Sequence, residues 1–207
     1  AALPRSIKML RMAYMKDELA PHLPPHLERL SINAGRITPE SLSQWPKGIQ
    51  NVQLSNVALS DSYCFAHFPP SLSILTLNGI YLASDEPPSF HLLPPSLTKL
   101  FLQNSSKLQT DSWLMSLPKS LRLKTLESTV CAVTTSAVFV HLPPSLRSLN
   151  ISLLEGQFDP ERLSHLPRGL HSLKLQSKTA FSWPDDSMVH LPRGLHLAEL
   201  PNCPEIT

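Results

Sequence analysis

The sequence predicts a repeat solenoid: one domain over residues 1–207, in which about nine short units stack side by side. A curved parallel β-sheet would line its concave face, with short helical or 3₁₀ turns and loops on the convex face. Three observations predict this. Proline is phased along the chain, large apolar residues recur at a fixed spacing after it, and another apolar residue recurs four positions before it.

The chain holds 21 prolines against 6 glycines. Without phase, so much proline would indicate a linker or a disordered tail. Instead, thirteen of the 21 lie in one phrase: an apolar residue, proline, two residues, then leucines at positions one, four and six. The leading proline stands at Pro4, Pro24, Pro46, Pro69, Pro94, Pro118, Pro143, Pro167 and Pro192, at intervals of 20, 22, 23, 25, 24, 25, 24 and 25 residues. Leu3, Leu23, Trp45, Phe68, Leu93, Leu117, Leu142, Leu166 and Leu191 precede it in turn. Self-similarity at this period with this leucine spacing is the signature of a leucine-rich repeat.

The spacing has a direct physical reading. Over residues 97–102, Leu100 and Leu102 alternate inward as a short strand while Phe101 points the other way. One such strand cannot bury its own apolar side, whereas a parallel stack shares a continuous core. Proline just before the strand removes no ladder hydrogen bond, and its fixed φ sets the entry turn. The second half of each unit is patterned too. Residues 37–42, 110–114 and 158–163 read as capped helical turns, with Thr or Asp at the start and an acid near the positive end. Asp159 and Asp185 are expected at such caps. Leu42, Phe65, Phe90, Leu114, Phe139, Leu163 and Met188 are the apolar residues four before the proline.

Two units depart from the phrase. The sixth has Lys124 where the middle leucine is expected between Leu121 and Leu126, with Leu123 filling in through a bulge. The sheet is expected to be least regular there. The ninth has Ala198 at that position.

The phrase Leu-Pro-x-Ser-Leu-x-x-Leu-x-Leu, seen at residues 93–102 and, closing on Ile151, at 142–151, resembles the proline-led leucine-rich repeats. Two branches share it: the FNIP-type repeats of amoebae and large viruses, and the LPX-type repeats of bacterial effectors, whose units are shorter. The Phe-Asn pair of the first is approached only by Phe158 and Asp159, and the asparagine usual after the strand is shifted one place earlier, to Asn56, Asn104 and Asn202. Either resemblance implies a recognition scaffold that binds protein. Leu3 and Pro4 open a unit at once and Glu199 to Pro201 close one in mid-pattern, so the chain is expected to be part of a longer protein or to have its ends covered by a partner.

Composition narrows the function. A net charge of +2 is too small to imply nucleic acid or membrane by itself, and no run of apolar residues is long enough to span a bilayer. The first residues have no signal-peptide pattern. There is no Gly-rich phosphate loop, no metal-binding helix motif and no nucleophile elbow, so no enzyme, cofactor or metal is expected. Cys64, Cys131 and Cys203 are too few for a zinc motif or a disulfide framework, which points to an intracellular setting. Sequons at Asn104 and Asn150 stand against that. His22, His67, His141, His165 and His190 stand two before the repeat proline, and the last three are expected to form a column beside the turns.

The candidate partner-binding residues follow from the register. The central ladder of the concave face is expected to read Arg11, Ser31, Gln53, Thr76, Phe101, Thr125, Asn150, Lys174 and Glu199. Lys8, Arg29, Lys99, Arg122 and Arg147 flank it, opposed by Glu28 and Glu127, which makes seven basic residues against three acidic. The remaining 11 basic and 13 acidic residues lean the other way. This mild segregation suits an acidic protein partner, with Phe101 as the apolar anchor. Nucleic acid would require more basic charge and more stacking aromatics. Two other readings stay open: self-association into an assembly or filament through the ends of the solenoid, and substrate recognition within a larger enzyme such as a ubiquitin ligase.

Overall fold

The computed structural model describes residues 3–83, 88–105, 112–133, 136–153, 160–177 and 185–200. Among the described residues there are twelve strands: β1 (Met9–Met12), β2 (Arg29–Ile32), β3 (Gly35–Ile37), β4 (Asn51–Ser55), β5 (Val57–Leu59), β6 (Ile74–Asn78), β7 (Tyr81–Leu82), β8 (Lys99–Gln103), β9 (Thr125–Val133), β10 (Ser148–Leu153), β11 (Ser172–Ser177) and β12 (Leu197–Glu199). Nine form one sheet in the order β1-β2-β4-β6-β8-β9-β10-β11-β12. Each pairs in parallel with its neighbours one repeat away, as the solenoid requires.

The proline phrase builds the turn that starts each strand. Each repeat proline's carbonyl accepts from the N–H three residues on, as in Leu27 to Pro24, Leu97 to Pro94 and Leu146 to Pro143, all at 3.1 Å. Pro25, Pro70, Pro95 and Pro144 occupy the next turn position, where their preset φ costs nothing. At Ser71, Ser96 and Ser145 the serine of the phrase ties its unit to the one before. Ser96 Oγ donates to the Leu72 carbonyl (2.7 Å), and Ser145 Oγ lies 3.0 and 2.9 Å from the carbonyls of Leu121 and Leu123.

Inward residues of both halves of each unit merge into one core. Leu100, Leu102, Leu149 and Leu173 from the sheet are fully buried, as are Leu42, Phe90, Leu114 and Leu163 from the outer side. Aromatic rings link several units through this layer: Trp45 to Phe68 (6.4 Å), Phe65 to Phe90 (4.8 Å) and Phe90 to Trp113 (5.7 Å), all edge-on. Among the described residues the convex side carries 3₁₀ turns and two short helices, α1 (Pro39–Ser43) and α2 (Ser112–Met115). Thr38 caps α1 as expected, its hydroxyl accepting from the Ser41 amide at 3.2 Å. The expected caps at Thr110, Asp111 and Asp159 lie outside the described residues, as do Cys203 and Asn202.

A second sheet was not expected. Strands β3, β5 and β7 pair in parallel on the flank of the second, third and fourth units. The cause is a left-handed corner two residues after the last buried leucine of the main strand. Asn56 (φ 52°), Gly79 (φ 62°) and Asn104 (φ 49°) share that place, and asparagine and glycine are the residues that tolerate it. The asparagines shifted by one in the sequence therefore mark corners. Gly35 (φ 139°) is held more tightly still, since a Cβ there would run into the Met15 carbonyl oxygen.

The sixth unit corrects the sequence register. Leu126 pairs with Leu100 and Leu149, Thr125 with Lys99 and Ser148, and Glu127 with Phe101 and Asn150. The buried leucines of the phrase are thus Leu123 and Leu126, and buried Ser128 stands opposite Leu102 and Ile151. Leu123 does fill in, but as the first leucine of the phrase, not the middle one. Thr125 is therefore not in the central ladder, and Glu127 is. The sheet is indeed irregular here, with a register shift in β9 after Ser128.

Candidate binding face

Alternation along each strand sends one set of side chains to the core and the other to solvent. In β2, Leu30 and Ile32 are buried while Arg29 is exposed and Ser31 half-exposed. Stacking in register turns the solvent set into columns. The central one reads Arg11, Ser31, Gln53, Thr76, Phe101, Glu127, Asn150, Lys174 and Glu199. Beside it, toward the strand starts, run Met9, Arg29, Asn51, Ile74, Lys99, Thr125, Ser148, Ser172 and Leu197.

Of the residues singled out from the sequence, Arg11, Gln53, Thr76, Phe101, Asn150 and Lys174 share the central column, and Arg29, Lys99 and Thr125 share its neighbour. Arg122 and Arg147 stand before the strands. Arg147 is engaged there, its guanidinium Nη1 donating to the carbonyl oxygens of Gly169 (3.0 Å) and Leu146 (3.3 Å). Arg122 is exposed between buried Leu121 and Leu123.

Ion pairs redistribute the charge. The Lys8 ammonium lies 2.9 Å from the Glu28 carboxylate, and Lys174 pairs with Glu199. The hydrogen bond and then the Coulomb attraction raise the Lys8 pKa and lower that of Glu28. With Glu127 in the central column, the basic surplus narrows mainly to Arg11 and Arg29 on β1 and β2, and Lys99 on β8. Arg11 and Arg29 edge a hollow of about 180 Å³ whose floor and walls include Ser31, Asn51 and Gln53. The middle of the face around Gln53 and Thr76 is neutral, and Phe101 stands half-buried beyond it.

The Cys64 thiol is buried, its Sγ 3.7 Å from the Ile37 carbonyl, and burial pushes its pKa up, the opposite of an activated thiol. Among the described residues no group of three or more His, Cys, Asp or Glu side chains is placed to hold a metal, and no helix is long and apolar enough to cross a membrane. His141, His165 and His190 end successive 3₁₀ turns, but among the described residues no ring contact joins them. Ring contact falls instead on His171 and His196, 5.3 Å apart between centroids. Each stands directly before its strand at the same place in consecutive units, a signal present in the sequence and missed there. Asn104 is exposed at its corner, with Nδ2 donating to Asn78 Oδ1 (3.0 Å), whereas Asn150 is half-buried within the central column.

No protein-family model matches this chain, and no curated protein is similar to it in sequence. Its backbone is similar to solved leucine-rich-repeat structures. An internalin from Listeria monocytogenes superimposes with a TM-score of 0.58 at 16% identity, over 96% of this chain and 56% of the internalin chain. CroV588, described as a novel circular LRR protein structure, gives 0.44 at 17% identity over 95% of this chain and 34% of its own. This chain therefore spans about half the length of the internalin it matches. The fold is a leucine-rich-repeat solenoid.

Proposed function

We propose that this chain binds a protein partner on its concave, strand-lined face. Phe101 carries the reading. The core beside it is already filled by Leu100 and Leu102, so packing does not call for an aromatic ring at this position. Yet the ring stands half-buried in a solvent-facing column between Thr76 and Glu127, where an apolar anchor suits an interface. Stacked repeats present extended concave surfaces of this kind. The proline-led phrase supports the reading too, because the FNIP-type and LPX-type repeats it resembles are recognition scaffolds. Partner capture by the wild-type chain, by Phe101→Ala and by Lys99→Glu tests it. Truncating an anchor is expected to cost about 2 kcal/mol, a loss of roughly thirtyfold in affinity, with the unfolding midpoint unchanged. Equal capture by all three removes the concave face from the account.

A further inference from the structure

We propose that the occupant of the concave face is an extended acidic segment of the partner protein, lying across the strands. One carboxylate sits between Arg11 and Arg29, and an apolar side chain four residues away sits on Phe101. The proposal rests on the concave-face reading above and adds the chemistry and spacing of the ligand.

The two arginines are placed to share one anion. Arg11 lies opposite Ser31 and Arg29 opposite Met9, so they stand diagonally on adjacent strands. A strand spacing of about 4.8 Å and two residues of about 3.3 Å rise put their Cα atoms roughly 8 Å apart. Long guanidinium side chains close that gap around a carboxylate, and both edge the same hollow beside Asn51 and Gln53. Among the described residues neither makes a salt bridge, although Arg29 adds a minor Coulomb attraction to Glu28. The nearest acid in sequence, Glu28, is taken by Lys8, and Lys174 likewise has Glu199. Two unpaired like charges side by side repel, and a bound carboxylate relieves both.

The spacing follows from the sheet. Phe101 is three strand steps from Arg29 on β2 and four from Arg11 on β1, about 14 and about 19 Å at the usual strand separation. With the carboxylate over β2, where the long Arg11 side chain reaches it across one strand, the span is the shorter of the two. An extended chain covers that in about four residues, and an even number keeps both side chains on the face toward the sheet. Glu127 fixes the polarity. It stands next to Phe101 on the side away from the arginines, so a carboxylate placed there would meet a like charge. Gln53 and Thr76, lying between, are neutral hydrogen-bonding groups that accept any polar linker.

The test is a titration of the isotope-labelled full chain, followed by NMR, with end-blocked peptides of Ser, Thr and Gln carrying one Asp and one Leu. Asp and Leu four apart, in either order, are expected to shift the signals of Arg11, Arg29 and Phe101, and to bind more weakly as salt rises. Moving Leu to three apart puts the two side chains on opposite faces and should weaken binding about tenfold, as should Lys in place of Asp. The double variant Arg11→Gln/Arg29→Gln should lose the salt dependence, and Phe101→Ala should lose the preference for four over three. Equal binding at both spacings, equal binding of the Lys peptide, no binding of any peptide, or a phosphoserine peptide far tighter than the Asp one would each overturn the proposal. Partner capture that falls with Phe101→Ala but ignores Arg11→Gln/Arg29→Gln would overturn it while leaving the concave-face reading standing.

Discussion

In the first five units two residues separate the entry proline from the first buried leucine or isoleucine, as between Pro94 and Leu97. In the sixth unit Leu121 keeps that spacing and is buried too, but four residues separate Pro118 from Leu123, which takes the place that Leu97 holds on the neighbouring strand. The extra pair does not disturb the interior, because an even insertion preserves the alternation of faces. Leu121 and Leu123 both point into the core and Arg122 between them points out. What changes is the outside. Thr125 moves to the first column, Glu127 enters the central one, and Ser128 stands where a leucine would. The core of such a solenoid thus tolerates a two-residue change that rewrites its solvent-facing columns.

The sharpest way to break this contrast is to damage the regular half at its packing centre. Phe90 is fully buried between Phe65 and Trp113, and Phe90→Ala should cost about 3–5 kcal/mol, read from the denaturant midpoint. Deleting Leu121 and Arg122 together should cost much less, at most about 1.5–3 kcal/mol for the lost leucine, because Leu117, Pro118, Lys119, Ser120 and Leu123 then spell the regular phrase. Deleting Arg122 alone leaves Leu121 and Leu123 adjacent, so one of them must face solvent. If that single deletion proved the milder of the two, the parity argument would fail.

The smallest effect belongs to the exposed pair at the first unit. The Glu28 pKa is lowered in the folded chain, so its contribution is complete above the unfolded value near 4.5 and is lost as pH falls through the lower folded value. Lys8, whose pKa is raised, contributes below 10.5 and loses that as pH rises through its higher folded value. Glu28→Gln should therefore show a slightly flatter fall in stability between about pH 7 and about pH 3 than the wild type, and high salt should erase the difference. Comparing denaturant midpoints across that range checks it.

The fold was legible in the sequence because its determinants are local and repeated. Proline at the turn and leucine at fixed steps state both period and facing, and the structure keeps the proline turn in all nine units while the leucine steps shift in the sixth. The second sheet was not legible, since its strands follow positive-φ positions at Gly35, Asn56 and Gly79, which no hydrophobic pattern records. The solvent-facing columns were legible only in part. Its columns follow from alternation, so Arg11, Gln53, Thr76, Phe101, Asn150 and Lys174 were aligned correctly. Thr125 was not, because Leu121 and Leu123 are chemically identical candidates for one position, and only strand pairing decides between them. The pairings of Lys8 and Lys174 were equally invisible, as neighbours across strands lie some 20 or more residues apart in the chain.

The one-repeat offset between neighbouring strands also governs how the chain finds its shape. Met9 pairs with Arg29, Lys99 with Thr125 and Ser148 with Ser172, so no strand waits for a partner from the far end of the molecule. Loop-closure costs stay nearly constant from unit to unit, and folding that begins in one pair of repeats can spread by successive docking of the next. Each newly made unit of a growing polypeptide finds its template in the unit just finished, so the order of synthesis and the order of assembly coincide.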